Sequence, residues 1–321
     1  MKFLLPFSDV LYAAGHFYVD FFCALTMVSL VNDPWLFVLY NFLAFAVQMP
    51  IGLIADFVGR NRSFALVGVM LVLMGMLPLP VMLRVILIGL GNASYHVGGG
   101  REALLWEEGF TGLGIFVAPG AMGIDLGTVF AGDAGYTFMA ACILALIGIG
   151  MIFFCDGTPR FRPRENCRIT SAALMFGVVV LRSLVGLAME TPWKVGVFLL
   201  LSAVAATAGK ALGGILADRI GWKWTGITSL LITALLFLIP DLGFAGVLGV
   251  LLFNMTMPIT LRQAAASCRG YEGFAFGLLT FGLFLGYVPT AFGFALSPVL
   301  GCGLALASAV GLALDRSDAY G

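Results

Sequence analysis

Residues 52–62 read GLIADFVGRNR, and residues 214–224 read GILADRIGWKW. The two segments share glycine, alanine, aspartate and glycine at matching positions, and about half of the 321-residue chain separates them. A motif that returns at half the chain length indicates two parallel structural repeats. We therefore predict two halves, residues 1–156 and 170–321, joined by a linker at residues 157–169.

The composition excludes a soluble enzyme and a disordered chain. Hydrophobic residues make up 61% of the sequence and charged residues 11%, against about 45–50% and about 25% in average proteins. The mean hydropathy is +1.04. The formal net charge is zero, so the chain has no basic field to hold nucleic acid. The remaining class is a multi-pass protein of the lipid bilayer.

The apolar residues form runs near the ~20 residues that a helix needs to cross a bilayer. A β-barrel would instead show short segments of alternating polarity. We predict an all-α integral membrane protein with twelve transmembrane helices in two pseudo-symmetric six-helix bundles. The expected spans are residues 8–30, 34–57, 64–80, 81–98, 108–131, 134–155, 170–191, 195–217, 224–240, 242–260, 270–292 and 295–314.

The loop charges predict the orientation. With a cytoplasmic N-terminus, the outer loops carry only Arg84 and Lys194. This asymmetry favours a cell-membrane protein with both termini in the cytoplasm. The basic residues of the inner segments are then Lys2, Arg60, Arg62, Arg101, Arg160, Arg162, Arg164, Arg168, Arg219, Lys223, Arg262, Arg269 and Arg316.

The repeated segments resemble the signature of the major facilitator superfamily, which lies between helices two and three. Phe57 departs from the arginine that the family commonly has there, whereas the second copy keeps Arg219. The resemblance implies the major facilitator fold, alternating access and a monomer. An aspartate at a helix end, facing an arginine and a neighbouring helix N-terminus, can hold one conformation and release it in the other. We therefore expect Asp56 with Arg60, and Asp218 with Arg219, to act as gates.

Asp20 and Arg182 occupy equivalent positions in the two repeats, as do Asn92 and Asn254. Ionisable side chains at membrane depth are costly and are functional candidates by default. In the superfamily fold, helices one and seven line a central cavity. We expect Asp20 and Arg182 to form an ion pair or to share a substrate site, with a purely structural salt bridge as the alternative. Asn92, Asn254 and Tyr95 are further substrate-binding candidates.

The two histidines of the chain, His16 and His96, both lie in predicted spans, and His16 shares a helix face with Asp20. A histidine can load and release a proton near neutral pH. We predict a proton-coupling relay of His16, Asp20 and His96. Two alternatives stay open: a transition-metal site made of the same three groups, and histidines that only form structural hydrogen bonds.

Residues 15–20, GHFYVD, and residues 89–96, GLGNASYH, resemble the fosmidomycin-resistance branch of the superfamily. The branch has a histidine and an aspartate four residues apart on helix one and an aromatic-histidine pair on helix four. Val19 and Val97 depart from its pattern. The resemblance implies proton-driven export of small drugs. In addition, residues 119–120 resemble the Gly-Pro motif of the superfamily's antiporters.

Together these observations predict a secondary active transporter for a small solute, with proton-coupled export as the expected mode. Arg182 makes an anionic or zwitterionic solute plausible. The alternatives are proton-coupled uptake, divalent transition-metal transport and, from another class, a non-transporting receptor or a lipid scramblase. We expect neither enzymatic activity nor a cofactor, since the chain has no nucleotide fingerprint and no nucleophile visibly paired with a base.

Two smaller expectations concern single residues. Lys210 lies near the predicted end of span eight and is expected to extend to the membrane interface. The cysteines lie in spans or on the cytoplasmic side, where a disulfide framework is not expected. They are Cys23, Cys142, Cys155, Cys167, Cys268 and Cys302.

Overall fold

A computed structural model describes residues 7–106 and 108–316 of the chain. Apart from an isolated bridge between Met189 and Leu296, the regular elements of this part are helices. They are α1 (Phe7–Leu30), α2 (Pro34–Asn41), α3 (Gln48–Val58), α4 (Asn61–Met74), α5 (Val81–Trp106), α6 (Thr111–Val129), α7 (Ala134–Phe154), α8 (Ile169–Ala188), α9 (Val197–Ile220), α10 (Trp222–Phe237), α11 (Gly243–Asn254), α12 (Thr256–Ser267), α13 (Glu272–Ala291) and α14 (Pro298–Leu314).

Each of the twelve predicted spans overlaps one helix or one pair of consecutive helices. A π-helical segment, Phe42–Ala46, joins α2 and α3 into a span at Pro34–Val58, and α11 and α12 form another at Gly243–Ser267. Among the described residues, nine such spans are long and apolar enough to cross a membrane, and α4, α10 and α14 are shorter apolar helices. The chain is therefore a multi-pass membrane protein. Lys2 and both termini lie outside the described residues.

The fourth span is longer than the prediction of residues 81–98. Helix α5 continues to Trp106, so Arg101 belongs to the helix rather than to a loop. Arg101 is 1% exposed, because Asp56 and Asn61 receive its guanidinium inside the protein. Because Asp56 and Asn61 pair with its guanidinium inside the protein, Arg101 can lie within a buried helix.

The repeated motif ends a helix and turns the chain at a positive-φ glycine in both copies. Its second glycine follows α3 as Gly59 with φ of 74°, and follows α9 as Gly221 with φ of 93°. A side chain other than glycine is strained at such positive φ values. The chain turns at these glycines into α4 and α10, which leaves Asp56 and Asp218 in the last turn of the preceding helix.

The helices can be described as two groups by order along the chain. In the first, α1 packs on α6 and α7, and α4 on α5; in the second, α8 packs on α13 and α14, and α9 on α11. The most extensive contacts between the groups are those of α6 with α9 and of α3 with α13, and α5 with α13 and α6 with α12 also touch. A Cβ on Gly52 would collide with the backbone of Gly273, and one on Gly214 with that of Phe110. The division into six-helix bundles at residues 1–156 and 170–321 stays a prediction.

The linker crosses the end of the molecule that carries both repeated motifs. Its backbone donates hydrogen bonds from Arg160 to Gly59, from Glu165 to Arg269 and from Arg168 to Ser267. A disulfide joins Cys167 of the linker to Cys268 after α12, so the expectation of no disulfide is wrong. The two cysteines are 101 residues apart in sequence, and only the packing of the linker against the end of α12 brings them together.

Candidate functional site

The helices enclose a cavity of about 560 Å³. Most of its wall is apolar and aromatic, including Tyr40, Trp193, Phe253 and Tyr287. Pockets that hold small molecules commonly combine such a wall with a few placed polar groups. The ionisable side chains in the wall are His16, Asp20, His96, Asp125, Arg182, Lys194 and Lys210.

The structure brings His16, Asp20 and His96 together, as the sequence analysis predicts. The Nε2 atom of His16 lies 3.3 Å from Oδ2 of Asp20, and that of His96 lies 3.5 Å from Oδ1. Each of the three residues is 6% exposed. Helix α1 supplies His16 and Asp20 one turn apart, and α5 supplies His96 from the facing side. We call these three side chains the histidine–aspartate cluster.

Backbone carbonyl groups fix both imidazole rings. The Nδ1 atom of His16 lies 2.7 Å from the carbonyl oxygen of Phe116, and that of His96 lies 2.8 Å from the carbonyl oxygen of Asn92. Since a carbonyl oxygen only accepts, each Nδ1 carries a hydrogen and each Nε2 faces Asp20. The side chain of Asn92 also donates to Oδ1 of Asp20 over 3.0 Å.

Arg182 does not form the expected ion pair with Asp20. Its nearest polar contacts are weak: Nη2 lies 3.4 Å from the carbonyl oxygen of Phe253, and Nη1 lies 3.6 Å from Sδ of Met257. Its buried Nε has no partner among the described residues. Asp20 instead contacts the two histidines and Asn92. The side chain of Arg182 lines the cavity.

Lys210 lies in the cavity wall, a position that the sequence analysis did not predict. Helix α9 extends past residue 217 to Ile220, so Lys210 lies more than two turns before the helix ends. Among the described residues, neither Lys210 nor Arg182 forms an ion pair with a carboxylate. Asp125, whose role the sequence left open, lines the same cavity.

The other substrate-binding candidates have different surroundings. Asn254 lines the cavity, and its side chain donates to the carbonyl oxygen of Val250. Asn92 contacts Asp20 from behind the cavity wall. Tyr95 is fully buried and donates to the carbonyl oxygen of Tyr12 over 2.7 Å. Its hydroxyl joins α5 to α1 and Tyr95 is not among the residues that line the cavity, so its contact with substrate stays a prediction.

The two motif aspartates each hold the start of a distant helix. Asp56 accepts hydrogen bonds from the backbone of Gly273 and Phe274 at the start of α13, each over 2.8 Å. Asp218 accepts from the backbone of Phe110 and Thr111 at the start of α6, over 2.9 and 2.8 Å. A carboxylate at a helix N-terminus is stabilised by the unpaired amide groups there.

The arginines that were expected to complete the gates are not the observed partners. Arg60 and Arg219 are both exposed. The ion pair of Asp56 is formed by Arg101, whose Nε lies 2.7 Å from Oδ1. Sequence reasoning missed Arg101 because it placed this residue in a loop. The uninterrupted run from residue 81 to 106, without proline, was the signal that a longer helix carries it inward.

Comparison with known proteins adds the fold class. No family model matches the chain, and no curated protein matches its sequence. Among solved structures, a variant of the E. coli fucose:proton symporter FucP superposes with a TM-score of 0.65 at 12% identity, covering 95% of this chain and 96% of that one. The human organic anion transporter MFSD10 (TETRAN) gives 0.69 at 14% identity, covering 95% and 90%. FucP is also described as a major facilitator superfamily transporter in an outward conformation, with a TM-score of 0.63. The chain therefore has the fold of major facilitator superfamily transporters, and these similar structures are transporters rather than enzymes.

Proposed function

We propose that this protein is a secondary active transporter that moves a small organic anion across the membrane by alternating access. The observation that carries the proposal is the cavity of about 560 Å³ with Arg182 and Lys210 in its wall. Neither cation has a carboxylate partner among the described residues.

The energetics of the two cations favour an anionic substrate. A buried charge without a counter-charge costs several kcal/mol, and charged side chains at membrane depth mark substrate or ion pathways. A bound anion would offset this cost. The apolar part of the same molecule would pack on Phe253, Trp193 and Tyr287 of the wall.

Alternating access is supported by the gate contacts. Asp56 and Asp218 tie α3 to α13 and α9 to α6 at one end of the molecule. The loop charges predict that this end faces the cytoplasm. In our proposal, these contacts close the cytoplasmic side, and they break when the cavity opens inward.

The direction and the coupling ion stay predictions from the sequence. The sequence predicts export, with proton coupling through His16, Asp20 and His96. Monomeric function and similarity to the fosmidomycin-resistance branch also stay predictions. Uptake by symport and transition-metal transport are the transport alternatives. A receptor without transport and a lipid scramblase are the alternatives from another class.

Counterflow in vesicles that contain the purified protein tests the proposal. Vesicles preloaded with each member of a panel of aromatic carboxylates and phosphonates should exchange at least one radiolabelled member. Arg182→Gln and Lys210→Gln should abolish this exchange, whereas Arg60→Gln, a cation-to-amide change at an exposed site, should leave it unchanged. Exchange of neutral solutes only, or anion exchange that survives both cavity substitutions, would contradict an anionic substrate.

A further inference from the structure

The histidine–aspartate cluster brings several hydrogen-bond acceptor atoms close together. Because Nδ1 of His16 and of His96 faces a backbone carbonyl, a neutral ring of either residue turns an Nε2 lone pair toward Asp20. Two lone pairs and a carboxylate then converge on one point, and Asn92 supplies one donor to Oδ1 of Asp20. Such a group of acceptors is stabilised by a positive charge between them, which either a proton on one Nε2 or a metal ion supplies.

We propose that His16, Asp20 and His96 bind one divalent transition-metal ion of the Zn²⁺ class. Their ligand atoms lie within 4.8 Å of one another, and all three residues are buried. Two imidazole nitrogens and one carboxylate oxygen form a donor set that suits Zn²⁺, Co²⁺ and Fe²⁺. Mg²⁺ and Ca²⁺ prefer sites made of oxygen alone.

The distances favour an ion between the ligands over direct hydrogen bonds. A charge-assisted N–H···O bond has a donor-to-acceptor distance of about 2.7–2.9 Å. The two Nε2-to-carboxylate distances are 3.3 and 3.5 Å. Tetrahedral bonds of about 2.0–2.1 Å to Zn²⁺ require ligand atoms about 3.3–3.4 Å apart. The two observed distances reach different oxygens of Asp20, and the ligand atoms of the three residues lie within 4.8 Å of one another, so a small side-chain movement would bring them to one ion.

The surroundings of the ligands are those of a built metal site. Histidine ligands of metal ions characteristically donate their other ring nitrogen to a carbonyl or carboxylate group, which fixes the ring. The carbonyl groups of Phe116 and Asn92 do this for the two histidines. Asn92 additionally holds Asp20 through its side chain, so a single residue supports both a histidine and the carboxylate.

The cluster also has an accessible side, because His16, Asp20 and His96 all line the cavity. The protein supplies three ligands, which leaves the fourth position of a tetrahedral ion open to water or to a solute, as in catalytic zinc sites. The metal proposal does not depend on the anion proposal, since it uses none of the cationic side chains.

The test uses Co²⁺ and Zn²⁺ with purified full-length protein that has been treated with a chelator. Co²⁺ should produce the visible absorption of a four-coordinate site with nitrogen and oxygen ligands, and Zn²⁺ should displace it. Zn²⁺ should also raise the unfolding temperature, whereas Mg²⁺ should not. Absence of the Co²⁺ absorption from the unmodified protein would overturn the proposal without reference to any variant.

Variants then assign the ligands. His16→Gln and His96→Gln should remove the absorption, and Asn92→Ala should weaken Zn²⁺ binding by about 10–100-fold while all three ligands remain. Asp125→Asn is the matched control, because it removes a carboxylate of the same cavity outside the cluster. Unfolding temperatures in chelator establish that each variant is folded. Unchanged Zn²⁺ affinity in His96→Gln, or equal loss in Asp125→Asn, would refute the assignment. Anion exchange is measured in the presence of chelator, so that the test of Arg182 and Lys210 does not depend on a bound metal ion.

Discussion

At the scale of single residues, the charged groups of this protein differ in how completely they are paired. Arg101 and Asp56 are both 1% exposed and hydrogen-bonded to each other. Arg182 and Lys210 lie in the cavity wall, and neither forms an ion pair with a carboxylate of the described residues. The paired charges are expected to stabilise the fold, whereas in the proposed function Arg182 and Lys210 bind the solute.

Arg101→Met should destabilise the protein. It leaves Asp56 buried with backbone donors only, and breaking a buried ion pair from one side costs about 3–5 kcal/mol. Denaturant unfolding in detergent measures the change. Arg60→Met removes the arginine of the motif itself, which is exposed, and should change stability by no more than about 0.5 kcal/mol. A larger effect at Arg60 than at Arg101 would restore the pairing expected from the motif.

The sequence predicted the residues whose pattern is local and missed those that depend on packing. His16 and Asp20 are one helical turn apart, so their shared face follows from spacing alone. The role of Lys210 depends on where α9 ends, and the partner of Asp56 depends on where α5 ends. His96 lines the cavity and the adjacent Tyr95 does not, because adjacent residues on a helix point in different directions.

At the scale of elements, close backbone contacts join the two groups of helices. Helix α3 meets α13 at Gly52 and Gly273, and α6 meets α9 at Gly114 and Gly214. These pairs lie near the motif aspartates, so the carboxylate contacts require the glycines. The duplication explains why both contacts have the same form.

Gly52→Ala should separate α3 from α13, because its methyl group would meet the backbone of Gly273. We expect a lower unfolding temperature. The matched control is Gly177→Ala in α8, where nothing lies within 4 Å of the added Cβ; this variant should gain about 0.5–1 kcal/mol from helix propensity. Equal effects of the two substitutions would show that the α3–α13 contact contributes nothing to stability.

At the scale of the whole molecule, the helix succession was largely predictable because hydropathy and length determine a span. The exceptions are informative. The interruption at Phe42–Ala46 and the break at Met255 leave no mark in hydropathy, since both surrounding sequences remain apolar. The disulfide between Cys167 and Cys268 likewise depends on the path of the linker.

The predicted orientation is testable with single cysteines in a cysteine-free background. Pro192 precedes α9 and Arg219 lies in its last turn, and both are exposed. A membrane-impermeant maleimide applied to intact cells should label Pro192→Cys and spare Arg219→Cys, because the inner loops carry the basic residues. Labelling of both variants after cell lysis is the control. The reverse pattern in intact cells would invert the orientation.

The anchoring of the linker limits how far the two ends that it joins can move apart. Its backbone is fastened to Gly59 through Arg160 and to Arg269 through Glu165, and the five residue steps between these anchors span at most about 18 Å when fully extended. The linker therefore tethers Gly59 to Arg269. A separation greater than this length requires one of the two backbone hydrogen bonds to break first.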